Sequence, residues 1–228
     1  VVGANLAFYS SREIAGATEQ FCNLAALCVR DDHRVHTLRL VRALLKQPDY
    51  SFTDLSPSGN VVAMDERLGF VHLDTTTVAR PNLPTRRPKG VDVVTDLDQI
   101  EVALSDRDLQ IFADHRECAA ARHVVLRAGD RTCYIIFRID RRKRLRIFAS
   151  LLHIGDPDTY VRYGRYLGAF LLTRHRAPVT LVEKRLIGQR SWSGPQIVLA
   201  GRPKMFKSRH LDASQIDYLY SELTCVAW

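Results

Sequence analysis

An ordered alternation of strand-like and helical runs in residues 21–74 constrains the fold more than any other feature of this chain. An apolar run at residues 21–30 ends in a charged turn. The next run places its apolar residues on one helical face, at Leu38, Val41, Leu44 and Leu45. A short alternating strand, a helix that ends at Gly69 and a strand at residues 70–74 follow. This order predicts a mixed sheet with helices packed against it.

Residues 4–10 and 21–30 are expected to form an antiparallel pair. The order of hairpin, acidic turn, helix and strand then returns about 125 residues later. Three alternating runs joined by short turns, at residues 123–128, 132–140 and 145–153, predict a meander. An acidic loop at 155–158, a helix with apolar spacing from Tyr163 to Leu171 and a strand at 179–183 follow. A fixed offset of this kind favours duplication of one unit. The alternative is that a meander followed by a helix is simply common in α+β proteins.

The predicted fold class is therefore α+β, with mixed, mostly antiparallel twisted sheets flanked by helices and arranged as two similar halves. Residues 75–90 are rich in threonine, proline and basic side chains without apolar periodicity, which is typical of a linker or long loop. We expect a first half at residues 1–79, a linker at 80–94 and a second half at 95–228. Strand-like sequence begins almost at Val1, and this is consistent with an upstream segment that is missing from the sequence.

The net charge of +8 favours an anionic partner, because a positive field raises the local concentration of phosphates and carboxylates. Much of the excess lies in three basic runs, at residues 80–89, 140–146 and 202–209. Loops commonly carry such solvated charge, so the alternative interpretation is that these basic runs are ordinary solvent-exposed surface. Basic and aromatic residues do not interleave as in proteins that follow a nucleic-acid backbone, so no nucleic-acid partner is expected.

No apolar run approaches the ~18–20 residues that span a bilayer, and the first residues lack the zones of a signal peptide. We therefore expect a cytoplasmic protein without a membrane span.

The five cysteines include no CxxC pair, and several lie in apolar strand-like runs. They are interpreted as reduced, mostly buried thiols.

Two segments carry a family resemblance. Residues 22–42 read CNLAALCVRDDHRVHTLRLVR, and residues 60–70 read NVVAMDERLGF. The first is similar to the central strand, pyrophosphate-binding turn and helix of the GNAT superfamily of coenzyme A dependent N-acyltransferases. The second resembles the later helix of that family, which ends in Leu-Gly-Phe before the next strand. The resemblance covers about the first third of the chain, and the remainder is similar only in element order.

The resemblance implies a site for acetyl-CoA or another acyl-CoA, with no metal. In this family the central strand splays from its neighbour and offers backbone groups to the pantetheine arm, here at Leu27, Cys28 and Val29. The pyrophosphate would lie against the turn and helix start at Arg34, Val35, His36, Thr37 and Leu38. Ser58 and Asn60 stand near the start of the later helix, where the family commonly has Asn.

Three positions depart from the family pattern. Thr37 and Arg39 stand where the family turn has small residues that let the backbone approach phosphate. Asp65 occupies the position at which the family often has a tyrosine general acid, and only strong desolvation would keep an aspartic acid neutral near pH 7.

Asp65 and Glu183 are the candidate catalytic residues. Glu183 ends an apolar strand of the second half, where it could serve as a base for an amine or simply pair with nearby arginines. His33 and His36 have helical spacing for a metal pair, but apart from Asp31 and Asp32 in the turn no carboxylate or cysteine at ligand spacing completes the set, so no metal site is predicted.

These features favour an acyl-CoA dependent N-acyltransferase that moves an acyl group from a thioester to an amine. Two alternatives remain open at this stage. One is a GNAT-like binding or regulatory module without chemistry. The other is a long-chain N-acyltransferase that takes its acyl group from an acyl carrier protein, an acidic partner that a basic face would suit. Acceptor and oligomeric state are not indicated.

Overall fold

A computed structural model describes residues 1–142 and 145–227, and it divides the chain into two compact units. The first unit comprises Val1–Asp74 and Arg202–Glu222, and the second comprises Thr75–Gly201 and the chain from Leu223. Part of the predicted basic run at residues 140–146, namely residues 143 and 144, lies outside the described residues.

The first unit is a five-stranded sheet with helices. Its elements are β1 (Gly3–Ile14), β2 (Ala17–Val29), a 3-10 helix (Asp31–His36), α1 (Thr37–Leu45), β3 (Tyr50–Asp54), α2 (Gly59–Arg67), β4 (Val71–His72) and, far along the chain, a strand at Met205–Lys207. The sheet order is β1, β2, β3, the Met205–Lys207 strand and β4. β2 and β3 run parallel, and the other neighbours are antiparallel.

Local sequence explains most of these boundaries. Ala15 and Gly16 both have positive φ, which closes the tight turn between β1 and β2. The predicted apolar stripe forms α1, in which Val41 is fully buried. Gly69 has a φ of 85° directly after α2, as expected for a residue that ends a helix.

The second unit is built on a seven-stranded sheet. Its elements are β5 (Thr77–Pro81), β6 (Val91–Val94), α3 (Leu97–Ala103), α4 (Asp106–His115), β7 (Arg122–Ala128), β8 (Arg131–Arg142), β9 (Leu145–Ile154), α5 (Pro157–His175), β10 (Val179–Glu183) and β11 (Ile197–Leu199). The sheet order is β11, β5, β10, β9, β8, β7 and β6. The strand at Met205–Lys207 is β12, and a short helix at Glu222–Cys225 is α6.

The chain therefore divides differently from the predicted scheme of residues 1–79, 80–94 and 95–228. The predicted linker holds the end of β5 and all of β6, which pair with β10 and β7. Arg202–Glu222 belongs to the first unit, because β12 pairs with β3 and β4. Pairing between strands so distant in sequence leaves no trace in local periodicity.

Both units repeat one distinctive arrangement. In each, a hairpin strand carries a bulge and has a short parallel partner on its other side. The extra residue is Ala25 in β2 and Leu152 in β9, because Leu24 and Ala26 pair with consecutive residues of β1, as do Leu151 and His153 with β8. The α+β class, the mostly antiparallel sheets and the two similar halves are confirmed.

Each unit has its own apolar core. Residues of the first core include Cys22, Val41, Phe52 and Met205, and the second core is centred on β7, β8, β9 and α5. All five cysteines are free thiols, but only Cys22 and Cys133 are buried, and Cys28 is exposed, which corrects the prediction that most are buried. In the described part of the chain, no helix has the length and apolar character needed to cross a membrane.

Candidate functional site

A cleft opens in the first unit where the parallel strands β2 and β3 separate. Their pairing runs from Gln20 opposite Tyr50 to Leu24 opposite Asp54. Beyond Leu24, β2 continues to Val29 along β1, whereas the chain after β3 turns away at Ser56 and Pro57. Within the described residues, the edge of β2 after Leu24 that faces away from β1 has no strand partner.

The separated strands enclose a cavity of about 240 Å³. One wall is the bulged part of β2, and the other is the start of α2 with the segment that precedes it. The lining residues are Asn5, Leu24, Ala25, Ala26, Leu27, Val41, Asp54, Ser56, Pro57, Ser58, Val61 and Met64. Small side chains at Ala25 and Ala26 leave the backbone of the bulge open to the cavity.

Carboxyl groups gather at one side of this cavity. Asp54, the last residue of β3, lines the cavity and is 6% exposed. Asp65 of α2 is fully buried, and apart from the neighbouring Asp54 carboxyl its two carboxyl oxygens have no hydrogen-bond partner in the described structure. Glu222, also fully buried, accepts hydrogen bonds from Asn23 Nδ2 and Ser56 Oγ, both at 2.5 Å.

The pKa values of the two aspartic acids follow from this burial. Desolvation raises the pKa of Asp54 to about 8, with further contributions from the negative charges of Asp65 and Glu222. Desolvation also raises the pKa of Asp65 to about 6, against a hydrogen bond with Asp54 that lowers it. Two ionised carboxylates have no donor for each other, whereas one protonated group can donate to its neighbour. The pair therefore holds one proton near pH 7.

A hydrogen-bond chain anchors this cluster to the strands. Thr53 Oγ1 donates to Asn23 Oδ1 at 2.9 Å, across the parallel pairing of β3 with β2. Asn23 then donates to Glu222, and the backbone N–H of Ser56 donates to Asp54 at 3.2 Å. Buried and bonded on both sides, these groups have little freedom to move.

The predicted cofactor residues fall into three groups. Leu27 and Ser58 line the cavity from opposite walls, so the structure brings these two together. Cys28 and Val29 continue β2 beyond the lining, and Asn60 is exposed on α2. Ser58 occupies the N-cap position of α2, although its hydroxyl makes no capping hydrogen bond.

The predicted pyrophosphate turn is helical. Arg34, Val35 and His36 belong to the 3-10 helix, and Thr37 and Leu38 begin α1 directly after it. The N–H of Thr37 donates to the carbonyl of Arg34, so the start of α1 is not an open helix end. Free N–H groups lie instead at the beginning of the 3-10 helix.

Acidic side chains occupy that earlier helix end. Asp31 pairs with Arg34 and Asp32 pairs with Arg30, at 2.7 and 2.8 Å, and all four side chains are well exposed. The rings of His33 and His36 stack with centroids 6.2 Å apart. Across the described residues, no group of three or more His, Cys, Asp or Glu side chains is placed to hold a metal ion.

In the second unit, the turn that precedes α5 carries carboxylates that bond to neighbouring groups of the chain. Asp156 caps α5 by accepting from the N–H groups of Asp158 and Thr159, at 3.0 and 3.2 Å. Asp158 forms a bidentate pair with Arg190. These carboxylates already take the place that an anion would take at this helix N-terminus. Glu183 ends β10 opposite Thr77 of β5 and is 8% exposed.

Sequence reasoning missed Asp54 and Glu222. An aspartate at the end of the apolar strand β3 was a visible signal, because strand ends beside a diverging partner commonly carry site residues. Glu222 offered no such signal, since only the return of the chain into the first unit places it beside Asn23 and Ser56.

Comparison with solved structures identifies the architecture. A GCN5-related N-acetyltransferase from Anabaena variabilis aligns with a TM-score of 0.51 and 13% identity over 90% of this chain and 59% of its own length. One from Kribbella flavida aligns with a TM-score of 0.51 and 11% identity, over 90% and 56%. The GCN5-related glucosamine N-acetyltransferase region of a fungal multi-domain GH3 beta-N-acetylglucosaminidase aligns with a TM-score of 0.54 and 11% identity, over 90% and 31%.

No protein-family model matches the chain, and no curated protein matches its sequence. The chain spans a little over half the length of the Anabaena and Kribbella proteins. At these identities the likeness concerns the arrangement of strands and helices alone. The fold of this chain is therefore that of the GCN5-related N-acetyltransferases (GNAT) to which it aligns.

Proposed function

We propose that the chain is an acyl-CoA dependent N-acyltransferase whose site is the cleft between β2 and β3. The observation that carries the proposal is the cleft of about 240 Å³ beside a carboxyl pair that holds a proton. The unpartnered edge of β2 suits the amide-bearing pantetheine arm, which can bind as an added strand. Acetyl-CoA or a longer acyl-CoA would supply the activated acyl group.

The groups that line the cleft would have separate roles in the reaction. Backbone N–H groups of the bulge around Ala25 are placed to stabilise negative charge on a carbonyl oxygen in the cleft. Asp54 holds a proton at its carboxyl and would give it to the departing sulfur. The attacking amine loses one proton as the new C–N bond forms, and that proton restores Asp54.

Asp65 is assigned a positioning role in this proposal. It stands at the tyrosine position of the family pattern but is fully buried, whereas Asp54 lines the cavity. The charge of Asp65 helps to raise the pKa of Asp54 to about 8, close to the range of a thiol. A proton donor matched to its acceptor transfers efficiently.

A thermal-shift titration tests the binding site. We expect acetyl-CoA to stabilise the protein at concentrations above ~100 μM, and Val61→Trp, which fills the cleft, to abolish that stabilisation. Val102→Trp is the matched control, since Val102 lies on α3 and is 89% exposed. Equal stabilisation of wild type and Val61→Trp, or none in wild type, would refute the proposed site.

A second measurement tests the chemistry. Free coenzyme A is quantified after incubation of acetyl-CoA and of a long-chain acyl-CoA with a panel of primary amines. Asp54→Asn should lower the rate about 100-fold and leave the thermal shift unchanged. Binding without turnover of any amine would favour a binding or regulatory module. Stabilisation by the long-chain thioester alone would favour the long-chain enzyme.

A further inference from the structure

A second cavity, of about 370 Å³, lies wholly within the second unit. The first half of α5 forms one wall, the end of β5 and the segment after it form another, and a loop at residues 193–195 closes the third side. Arg80, Arg162 and Arg165 all line it, and its lining contains no aspartate or glutamate. The cavity is therefore strongly positive and open to solvent.

The three guanidinium groups rest on aromatic rings rather than on carboxylates. Arg80 lies over the ring of Trp192 at 4.9 Å, Arg162 over Tyr163 at 5.3 Å and Arg165 over Tyr166 at 4.7 Å. Stacking orients a guanidinium and leaves N–H groups at its edge available for an anion. Arg165 also donates from Nη2 to the hydroxyl of Tyr166 at 2.5 Å, so part of its edge is already used. In the described structure, none of the three forms an ion pair with a carboxylate.

Further donors lie around the same space. Ser193 lines the cavity with its hydroxyl group, whereas the hydroxyl of Thr85 already donates to the carbonyl of Leu83 at 3.1 Å. The indole N–H of Trp192, one residue from the lining, is buried and has no acceptor among the described residues. Asn82 is unavailable, because it donates to Ala177 O and accepts from Thr180 Oγ1, both at 2.8 Å. The charged side chains of the lining are thus all arginines.

We propose that this cavity binds a small molecule that bears a phosphate monoester. A dianionic phosphate offers several acceptor oxygens to forked guanidinium groups and balances more than one positive charge, which a single carboxylate does not. Tyr160, which also lines the cavity, provides an apolar surface for the organic part of the ligand. The site is distinct from the β2–β3 cleft, and its lining residues all belong to the second unit.

Isothermal titration with phenyl phosphate, benzoate and phenol tests the proposal. Wild type should bind phenyl phosphate with a submillimolar Kd and the other two probes at least about tenfold more weakly. Arg80→Gln should weaken phenyl phosphate binding about tenfold or more, and Arg80→Lys should lie between. Arg127→Gln, an exposed arginine of β7 outside the cavity, is the matched control and should bind as wild type does.

Each outcome decides the question. Absence of binding to wild type at millimolar phenyl phosphate, or equal binding by Arg80→Gln, overturns the site. Equal affinity for benzoate overturns the assignment to phosphate. If Arg80→Gln fails to fold by circular dichroism, the double variant Arg162→Gln/Arg165→Gln replaces it, since both of these side chains are exposed on α5. Unchanged binding by that folded variant likewise overturns the proposal.

Discussion

At the scale of single residues, Asp54 and Asp65 combine burial with charge. A buried carboxyl group favours its neutral form, and a second carboxyl nearby strengthens that preference. The raised pKa values of Asp54 and Asp65 therefore mean that deprotonation costs the folded state more than the unfolded state. The first unit should be most stable below the unfolded pKa, near 3.8, and should lose this contribution as the pH rises towards 8.

Asp54→Asn should remove most of this pH dependence. Between pH 5 and pH 8, we expect the wild-type first unit to lose roughly 2–4 kcal/mol of its free energy of unfolding, less than independent sites would lose because the pair shares one proton. Hydrogen exchange of the β2 and β3 amides reports this free energy. Asp130→Asn, at an exposed turn, is the control and should retain the wild-type slope. A wild-type stability that rises over this range contradicts the raised pKa values.

At the level of elements, close packing of α5 against the residue that follows β5 explains Gly168. Gly164 and Gly168 are four residues apart on α5, a spacing that indicates close packing. A Cβ at Gly168 would lie 2.7 Å from Asn82 Oδ1, and Asn82 in turn holds the start of β10 through Thr180 and Ala177. The absence of a side chain at Gly168 thus allows α5, the end of β5 and the start of β10 to pack together.

Gly168→Ala should destabilise the second unit by about 1–3 kcal/mol, because the added methyl group displaces the Asn82 side chain from its two hydrogen bonds. Urea denaturation followed by circular dichroism measures the change. Gly59→Ala is the matched control, since no atom lies within 4 Å of a Cβ there and its φ is ordinary. It should be neutral or stabilising at the start of α2. Equal effects of the two substitutions would contradict this account.

At the scale of the whole molecule, the chain leaves the first unit at Asp74 and re-enters it at Arg202. The returning segment supplies β12 to the first sheet, Glu222 to the carboxyl cluster and Asp217 to a pair with the buried Arg12. The first unit is therefore completed by residues that follow Gly201 in the sequence. A buried arginine or asparagine that loses its partner is strongly destabilising.

A truncation after Gly201 should unfold or loosen the first unit selectively. It removes β12 from between β3 and β4 and leaves Arg12 and Asn23 without Asp217 and Glu222. Hydrogen-exchange mass spectrometry should show lost protection in β1, β2 and β3, with protection retained in the central strands β8 and β9. Retained protection in β2 and β3 would contradict the role assigned to the returning segment.

Local patterns in the amino-acid sequence specify the order of elements and the type of fold. The stripe of α1, the glycine after α2, the meander of β7, β8 and β9 and the long helix α5 are all local patterns, because periodicity and turn chemistry act within one stretch of chain. For the candidate site, local patterns placed Leu27 and Ser58, which line one cavity, and singled out Asp65.

The surroundings of those residues depend on contacts between segments that are distant in sequence. The divergence of β2 from β3 makes Asp54 part of a cleft, and the return of the chain brings Glu222 to Asn23 and Ser56. Likewise, the arginines of α5 share a cavity with Arg80 only because β10 pairs with β5. Burial, pKa and charge balance depend on neighbours distant in sequence, and such neighbours are set by sheet topology rather than by local periodicity.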